Sequence, residues 1–156
     1  MSLIAFLVVV AAVALAGSRF RPDPWFERLG KPSFNPPNAV FAPVWAVLYI
    51  AIAVSGWRAW VEAGHAWTPA LTLWGVQLAL NGAWSWLFFG RHRIDLALVD
   101  IVVLLVAIVG YIVAVAPLSG LAAWLFVPYA AWVAFATLLN AAILRLNRHP
   151  PVARVS

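Results

Sequence analysis

Two amide side chains lie inside an uncharged segment that is long enough to cross a bilayer. The 28 residues from Ala63 to Gly90 contain no Asp, Glu, Lys or Arg, whereas a hydrocarbon core about 30 Å thick needs only roughly 20 apolar helical residues. Gln77 and Asn81 are four residues apart in this segment, so a helix places them on one face, with Ser85 one turn further on. Hydrocarbon offers an amide no hydrogen-bond partner, so these groups must face protein or a cavity. The spacing therefore predicts a polar face inside a helical membrane bundle.

The ten tryptophans divide by expected depth. Those near segment ends are assigned to the aromatic belts at the membrane surfaces: Trp25, Trp57, Trp60, Trp67 and Trp124. Trp74 is intermediate, and the deeper ones are Trp45, Trp84, Trp86 and Trp132. A buried indole needs a partner for its N–H, which lipid cannot supply. The deep tryptophans therefore either pack within the bundle or line an internal site.

Counting depth at about 1.5 Å per helical residue places several polar and aromatic residues between the middle of the membrane and one face. They are Trp45, Tyr49, Asn81, Trp84, Trp132 and Asn140. On the last helix Trp132, Ala136, Leu139 and Asn140 also share one stripe. Aromatic walls with a few amides suit a flat apolar ligand with polar edges.

Several kinds of site are excluded or disfavoured by the sequence. Cysteine is absent, and His65, His92 and His149 fall in loops or tails, so no histidine pair at membrane depth can hold a haem iron. Lys31 lies in a loop, which excludes a Schiff base inside the bundle. Asp100 could be a proton relay or substrate group, although a structural hydrogen bond to a neighbouring helix is the simpler expectation. We expect no resident metal, no cofactor and no hydrolytic triad.

The elements that must position these residues are membrane helices. The chain is 65% hydrophobic and 10% charged, with a mean hydropathy of +0.96, which no ordinary soluble domain shows. Uncharged runs and turn signals predict a single all-α domain, 1–156, with five transmembrane helices near 2–18, 40–61, 68–90, 94–116 and 120–146 and a first loop at 19–39. The first run could instead be a cleaved signal peptide, but it lacks the usual basic start.

Basic residues indicate the orientation. With five spans, all Lys and Arg except Arg58 fall on one side, Arg154 among them. The positive-inside rule then places the C-terminus in the cytoplasm and the N-terminus outside. The net charge of +5 is accordingly assigned to topology and anionic lipid rather than to nucleic acid. The small residues Gly75, Ala79 and Ala83 form a stripe that permits close helix contact, within the bundle or across a homodimer.

Four groups of motifs, in this order along the chain, resemble the TspO/MBR family of bacterial tryptophan-rich sensory proteins and mitochondrial translocator proteins. They are Trp25–Phe26 with Lys31–Pro37, Val40–Trp45 with Leu48–Tyr49, Gln77–Asn81 with Trp84 and Phe88–Gly90, and Val127–Trp132 with Phe135–Thr137 and Leu139–Asn140. The resemblance covers about Trp25 to Asn147.

The resemblance implies a five-helix bundle, often a homodimer, whose cavity is closed by the first loop. It also implies binding of protoporphyrin and related tetrapyrroles, and of benzodiazepine-site drugs. The implied pocket residues are Phe34, Trp45, Tyr49, Asn81, Trp84, Trp132, Ala136, Leu139 and Asn140. Ala39 stands where a Trp is common, and Ala141–Ala142 replaces the tyrosines of the animal cholesterol motif. The first departure predicts a looser lid, and the second argues against cholesterol and for a bacterial protein. An all-helical apolar chain without a clear signal peptide favours the inner membrane.

The leading hypothesis is a membrane protein that binds porphyrins such as protoporphyrin IX and senses, carries or disposes of them. Deep aromatic rings would stack on the disc, and first-loop cations could neutralise its propionates: Arg19, Arg21, Arg28 or Lys31. The alternatives are an enzyme that degrades porphyrin with light and oxygen through an indole radical at Trp132, a small-molecule transporter subunit, and an inert assembly partner.

Overall fold

The computed structural model describes residues 1–148, and within that range it is all helical, as the composition predicts. The helices are α1 (Leu3–Gly17), α2 (Pro24–Glu27), α3 (Asn38–Glu62), α4 (Pro69–Ser85), α5 (Ile94–Val115) and α6 (Gly120–Asn147), and a π-helical turn (Trp86–Gly90) follows α4 directly. His149 and Arg154, which the sequence assigns to the C-terminal tail, lie outside the described residues.

Three of the helices, α3, α5 and α6, are long and apolar enough to cross a membrane by length and composition. The 15-residue α1 is a shorter apolar helix. The helix α4 has 17 residues, and the five-residue π turn prolongs it. The chain therefore folds as a bundle of apolar helices suited to a membrane.

Hydroxyl side chains and prolines fix where the helices begin. The side chains of Ser2, Thr68 and Ser119 accept hydrogen bonds from backbone N–H groups three residues later, at the starts of α1, α4 and α6. Pro69 occupies the first turn of α4, where its missing N–H would have no partner in any case. The cap at Ser119 thereby separates α6 from α5, which ends at Val115.

The five long helices form a closed ring in the order α1, α3, α6, α5 and α4. The interior of the bundle is filled by side chains in the half remote from the first loop, among them Phe6, Ile52, Trp74, Tyr111 and Phe126. The other half, next to the first loop, is not filled. The fold therefore combines a packed end with an open end.

Gly56 allows α3 and α4 to approach closely in the packed half. A Cβ atom at position 56 would lie 2.5 Å from the indole of Trp74 and 3.0 Å from the ring of Phe6. The Trp74 Nε1 atom donates a hydrogen bond to the carbonyl oxygen of Ile52 at 2.9 Å. The indole thus occupies the space that any side chain at position 56 would need.

Two local features differ from the sequence expectation. The first loop contains the short helix α2, which is too brief to produce a hydrophobic period, although Asp23 followed by Pro24 is a typical helix start. The end of α4 widens into the π turn, in which the N–H of Arg91 bonds to the carbonyl oxygen of Trp86 at 2.8 Å. Such turns often occur near functional sites.

Candidate ligand-binding site

An interior cavity of about 550 Å³ occupies the half of the bundle next to the first loop. This volume lies within the range of roughly 300–1,000 Å³ that is usual for small-molecule sites. All five long helices and the first loop contribute to its wall. Eight of the nine residues expected in the pocket line it: Trp45, Tyr49, Asn81, Trp84, Trp132, Ala136, Leu139 and Asn140.

Phe34 is the exception, because it does not line the cavity. Its side chain is 50% exposed and packs edge-on against Phe135, with ring centroids 6.1 Å apart. The N–H of Asn35 bonds to the carbonyl oxygen of Pro32 at 3.1 Å, which closes a turn with Phe34 at its corner. Corner side chains of a turn project outward, and in this loop it is Asn35 that reaches the cavity.

The amide face of α4 is held by tyrosines from two other helices. Tyr49 on α3 donates its hydroxyl hydrogen to Oδ1 of Asn81 at 3.3 Å, and Nδ2 of Asn81 donates to the hydroxyl of Tyr129 at 2.8 Å. Tyr129 in turn donates to Oε1 of Gln77 at 2.9 Å. Gln77 and Tyr129 are fully buried and do not line the cavity. This chain of hydrogen bonds engages both polar atoms of the Asn81 amide and Oε1 of Gln77, whose Nε2 atom has no partner among residues 1–148. Tyr49 and Asn81 remain at the surface of the cavity.

Tyr129 is an important hydrogen-bond partner that residue spacing alone does not predict. A signal was present, because Tyr129 precedes Trp132 by three residues and so lies close to the same helix face. Without knowing which helices are neighbours, however, that spacing does not reveal the bond to Gln77.

Trp84 and Asn140 connect three helices, α4, α6 and α5, beside the cavity. The Trp84 Nε1 atom donates to Oδ1 of Asn140 at 3.0 Å, and Nδ2 of Asn140 donates to the carbonyl oxygen of Ile94 at 3.1 Å. The Trp84 ring also stacks on Phe88, with centroids 5.1 Å apart. Asn140 therefore orients Trp84, and each polar atom of its side chain has a protein partner.

Trp132 differs from these residues because its buried Nε1 atom finds no hydrogen-bond partner within the described chain. Its ring packs against the hydrophobic core and against two phenylalanines, Phe41 at 5.7 Å and Phe135 at 5.8 Å between centroids. Trp132 thus lines the cavity while its buried indole N–H has no partner among residues 1–148.

The aromatic lining is richer than the sequence indicates. Five phenylalanines also line the cavity: Phe20, Phe26, Phe41, Phe88 and Phe89. Phe88 follows Trp84 by four residues, which the helical period could have suggested. Trp86, which was grouped with the deep tryptophans, lies instead on the outside, 46% exposed, with the guanidinium of Arg91 5.8 Å from its ring.

The short helix α2 is fastened to the loop between α4 and α5. Oδ1 of Asp23 accepts a hydrogen bond from the N–H of Phe26 at 3.0 Å, and Oδ2 pairs with Nε2 of His92 at 3.0 Å. The pKa of Asp23 is lowered, chiefly by the Phe26 N–H bond and also by His92. The His92 ring lies flat on Trp25, with centroids 4.0 Å apart, and its backbone φ of 54° is unusual for a residue other than glycine.

The middle of the first loop is fastened to α6 at Gly30. Asn147 accepts a hydrogen bond from the N–H of Gly30 at 3.0 Å and donates one to the Gly30 carbonyl oxygen at 2.9 Å. Between these two attachments Phe26 is buried against Phe88 and Phe89. The first loop therefore acts as a lid across one end of the cavity.

Charged groups near the cavity are few. Arg21 is exposed and lines the mouth, where its Nε atom donates to the carbonyl oxygen of Ser18 at 2.9 Å. The ammonium of Lys31 lies 4.5 Å from the centre of the Phe26 ring. Asp100 is buried, and its Oδ2 atom has no hydrogen-bond partner among residues 1–148, so the expected interhelical bond at that oxygen is not formed.

A bundle of apolar helices around an aromatic, amide-bearing cavity with a loop lid defines a helical membrane protein with an internal candidate ligand site. Residues 5–146 match the model of the TspO/MBR family. The chain belongs to this family, which confirms the resemblance seen in the motifs.

Relatives from bacteria and animals are similar to the chain over nearly its whole length. It is 40% identical over 146 residues to the tryptophan-rich protein TspO of Chlorobaculum tepidum, covering 87% of this chain and 89% of that protein. It is 36% identical over 149 residues to the tryptophan-rich sensory protein of Cereibacter sphaeroides, covering 96% and 93%. It is 38% identical over 148 residues to the translocator protein of Homo sapiens, covering 91% and 88%.

Proposed function

We propose that the protein binds a tetrapyrrole such as protoporphyrin IX in the cavity and acts in porphyrin sensing, transport or disposal. The observation that carries this proposal is the wall itself, which presents Trp45, Trp84 and Trp132 around about 550 Å³ of interior space. Aromatic rings stack favourably on a flat aromatic disc. The hydroxyl of Tyr49 and the amide of Asn81 add polar groups at one edge.

Arg21 would orient the bound ligand. Among the four first-loop cations considered from the sequence, Arg21 lines the cavity, whereas Arg19, Arg28 and Lys31 do not. A porphyrin carries its two propionates at one edge, and a guanidinium binds a carboxylate through charge-assisted hydrogen bonds. The propionate edge therefore points to the mouth, and the apolar edge points toward the Gln77–Tyr129 layer.

Replacing Arg21 by glutamine tests this arrangement. We expect affinity for protoporphyrin IX to fall by about two- to fivefold, the range for an exposed ion pair, and to remain unchanged for the uncharged dimethyl ester. Binding is measured by quenching of tryptophan fluorescence at low and high salt, because salt should remove the difference. Arg19→Gln, a nearby exposed cation outside the cavity wall, is the matched control.

Two results would count against the proposal. Equal loss of affinity for the acid and its ester would show that Arg21 does not meet the propionates. Absence of saturable quenching in the unaltered protein would show that it does not bind tetrapyrroles. A chemically altered porphyrin after illumination, formed by the unaltered protein but not by Trp132→Phe, would indicate the enzymatic alternative.

For the membrane arrangement we propose five spans, with the N-terminus outside and the C-terminus in the cytoplasm of a bacterial inner membrane. The basic residues of the first loop and of the α4–α5 loop support this, because they flank the cavity end, whereas Arg58 near the end of α3 belongs to the other end. A reporter active only in the periplasm should be silent when inserted near Arg28 and active near Gly64. Activity at Arg28 would reverse the orientation.

A homodimer through the small-residue stripe of α4 is also proposed. Ala79 is exposed, and a Cβ atom added at Gly75 would meet no other atom within 4 Å, so this face is free for a second copy. We expect Ala79→Leu to shift the detergent-solubilised protein toward monomer, as measured by light scattering. Val113→Leu, at an exposed position on α5, should leave the mass unchanged. An unchanged mass for Ala79→Leu would assign the stripe to lipid.

A further inference from the structure

A second concave surface lies on the outside of the bundle, between α3 and α6. It measures about 560 Å³ and is lined by Pro36, Val44, Leu48, Pro128, Ala131 and Phe135, together with Trp132. Both helices are among those long and apolar enough to span a membrane, so this groove faces hydrocarbon. From Pro128 to Phe135 it runs along α6 for about 10 Å, at 1.5 Å per residue.

Trp132 lines both the groove and the interior cavity. At this point a single indole separates the interior of the protein from the surrounding hydrocarbon. Among residues 1–148, no other side chain lines both spaces. The two spaces would therefore become continuous if this indole changed rotamer.

The indole of Trp132 is less restrained than those of Trp74 and Trp84. The indole N–H groups of Trp74 and Trp84 donate to Ile52 and Asn140 respectively, whereas that of Trp132 is free of any hydrogen bond to the described residues. A rotamer change at Trp132 therefore breaks no hydrogen bond to the described residues, and only apolar and aromatic packing contacts must be exchanged.

More hydrogen bonds hold the lid in place than hold the indole of Trp132. Opening the lid would break the Asp23–His92 pair and the two bonds between Gly30 and Asn147, and would unstack His92 from Trp25.

We propose that the groove between α3 and α6 is a side entrance, through which a hydrocarbon-soluble ligand passes from the bilayer into the cavity when Trp132 swings aside. The identity of that ligand as a tetrapyrrole rests on the proposed function.

Because the chain lacks cysteine, the groove can be blocked chemically. Ala131 lines the groove but not the cavity, so Ala131→Cys carries a benzyl methanethiosulfonate label only on the outer side of Trp132. In lipid vesicles the label should slow both association and dissociation of protoporphyrin IX by about tenfold, followed by stopped-flow quenching, while Kd stays within about threefold. Removing the label with a reductant should restore both rates.

Val127→Cys is the matched control, because Val127 is exposed one turn earlier on α6 and lies outside the groove. Its label should leave both rates unchanged. Unchanged rates for labelled Ala131→Cys would overturn the side entrance and favour passage under the lid. Val44→Cys, on the α3 side of the groove, replaces Ala131→Cys if the latter does not fold.

Failure of the proposed function gives a different result from failure of the entrance. If the unaltered protein does not bind protoporphyrin IX, the entrance is judged with vesicles of phosphatidylcholine brominated on its acyl chains, which quench tryptophans in contact with hydrocarbon. Trp132→Phe, or the label on Ala131→Cys, should then reduce the quenched fraction. An identical quenched fraction in all these proteins would show that hydrocarbon does not reach Trp132.

Discussion

Trp45→Ala should weaken binding of protoporphyrin IX by about tenfold or more. Trp45 lines the cavity, where its ring lies 5.4 Å from that of Tyr49 and 6.3 Å from that of Tyr129. Stacking contributes about 0.5–1.5 kcal/mol beyond area burial, and loss of the buried indole surface adds to this. Since 1.4 kcal/mol corresponds to a factor of ten, a tenfold loss is the lower expectation. Equilibrium titration of porphyrin absorbance measures it.

Trp57→Ala provides the matched control on the same helix. Trp57 packs against the filled half of the bundle and does not line the cavity. Its replacement should leave affinity within about threefold. Circular dichroism and monodisperse elution must first show that both variants are folded. Equal losses for the two would mean that α3 contributes to binding only through stability.

Gly56→Ala should lower the free energy of unfolding by about 1–3 kcal/mol, as overpacking usually does. The new methyl group would lie 2.5 Å from the indole of Trp74. That indole cannot retreat easily, because it is buried, bonded to Ile52 and packed edge-on against Phe6 at 5.1 Å. Denaturant unfolding in detergent, followed by circular dichroism, measures the change.

Gly110→Ala is the comparison for that experiment. A Cβ atom at position 110 would lie 3.5 Å from Cδ1 of Leu73, which is ordinary van der Waals contact. Alanine is also a better helix former than glycine, so this variant should be neutral or more stable by up to about 1 kcal/mol. Trp74→Phe, which makes the opposing ring smaller, should restore part of the stability lost by Gly56→Ala. If Gly56→Ala has the same free energy of unfolding as the unaltered protein, α3 and α4 do not approach each other as closely as described.

The composition and spacing of the chain predict its helices and the inner faces of α3, α4 and α6. Periodicity places Gln77 and Asn81 on one face and Trp132 and Asn140 on another, and the structure brings Asn81, Trp132 and Asn140 to one cavity. Depth counting succeeds because a helix rises by a constant amount per residue, so residues at equal depth on inner faces must meet. It fails at Trp86, because equal depth does not reveal which way a side chain points.

The lid could not be predicted in the same way. Its fastenings join residues far apart in the sequence, 69 positions for Asp23 with His92 and 117 for Gly30 with Asn147. Helical periodicity does not relate residues so far apart in the sequence. These contacts form only because particular loops meet at the end of the bundle. The outward position of Phe34 follows from a turn in the same loop, for the same reason.

The π turn after α4 links the length of this helix to the closure of the lid. The turn ends at Gly90, where a Cβ atom would lie 2.8 Å from the ring of Phe20, and His92 follows two residues later. Deleting one residue between 86 and 90 would return the segment to the α-helical repeat and rotate everything beyond it by about 100° around the helix axis. His92 would then point away from Asp23 and Trp25, although both partners would still be present. The angular phase of α4, rather than the identity of any side chain in the lid, therefore decides whether the lid can close.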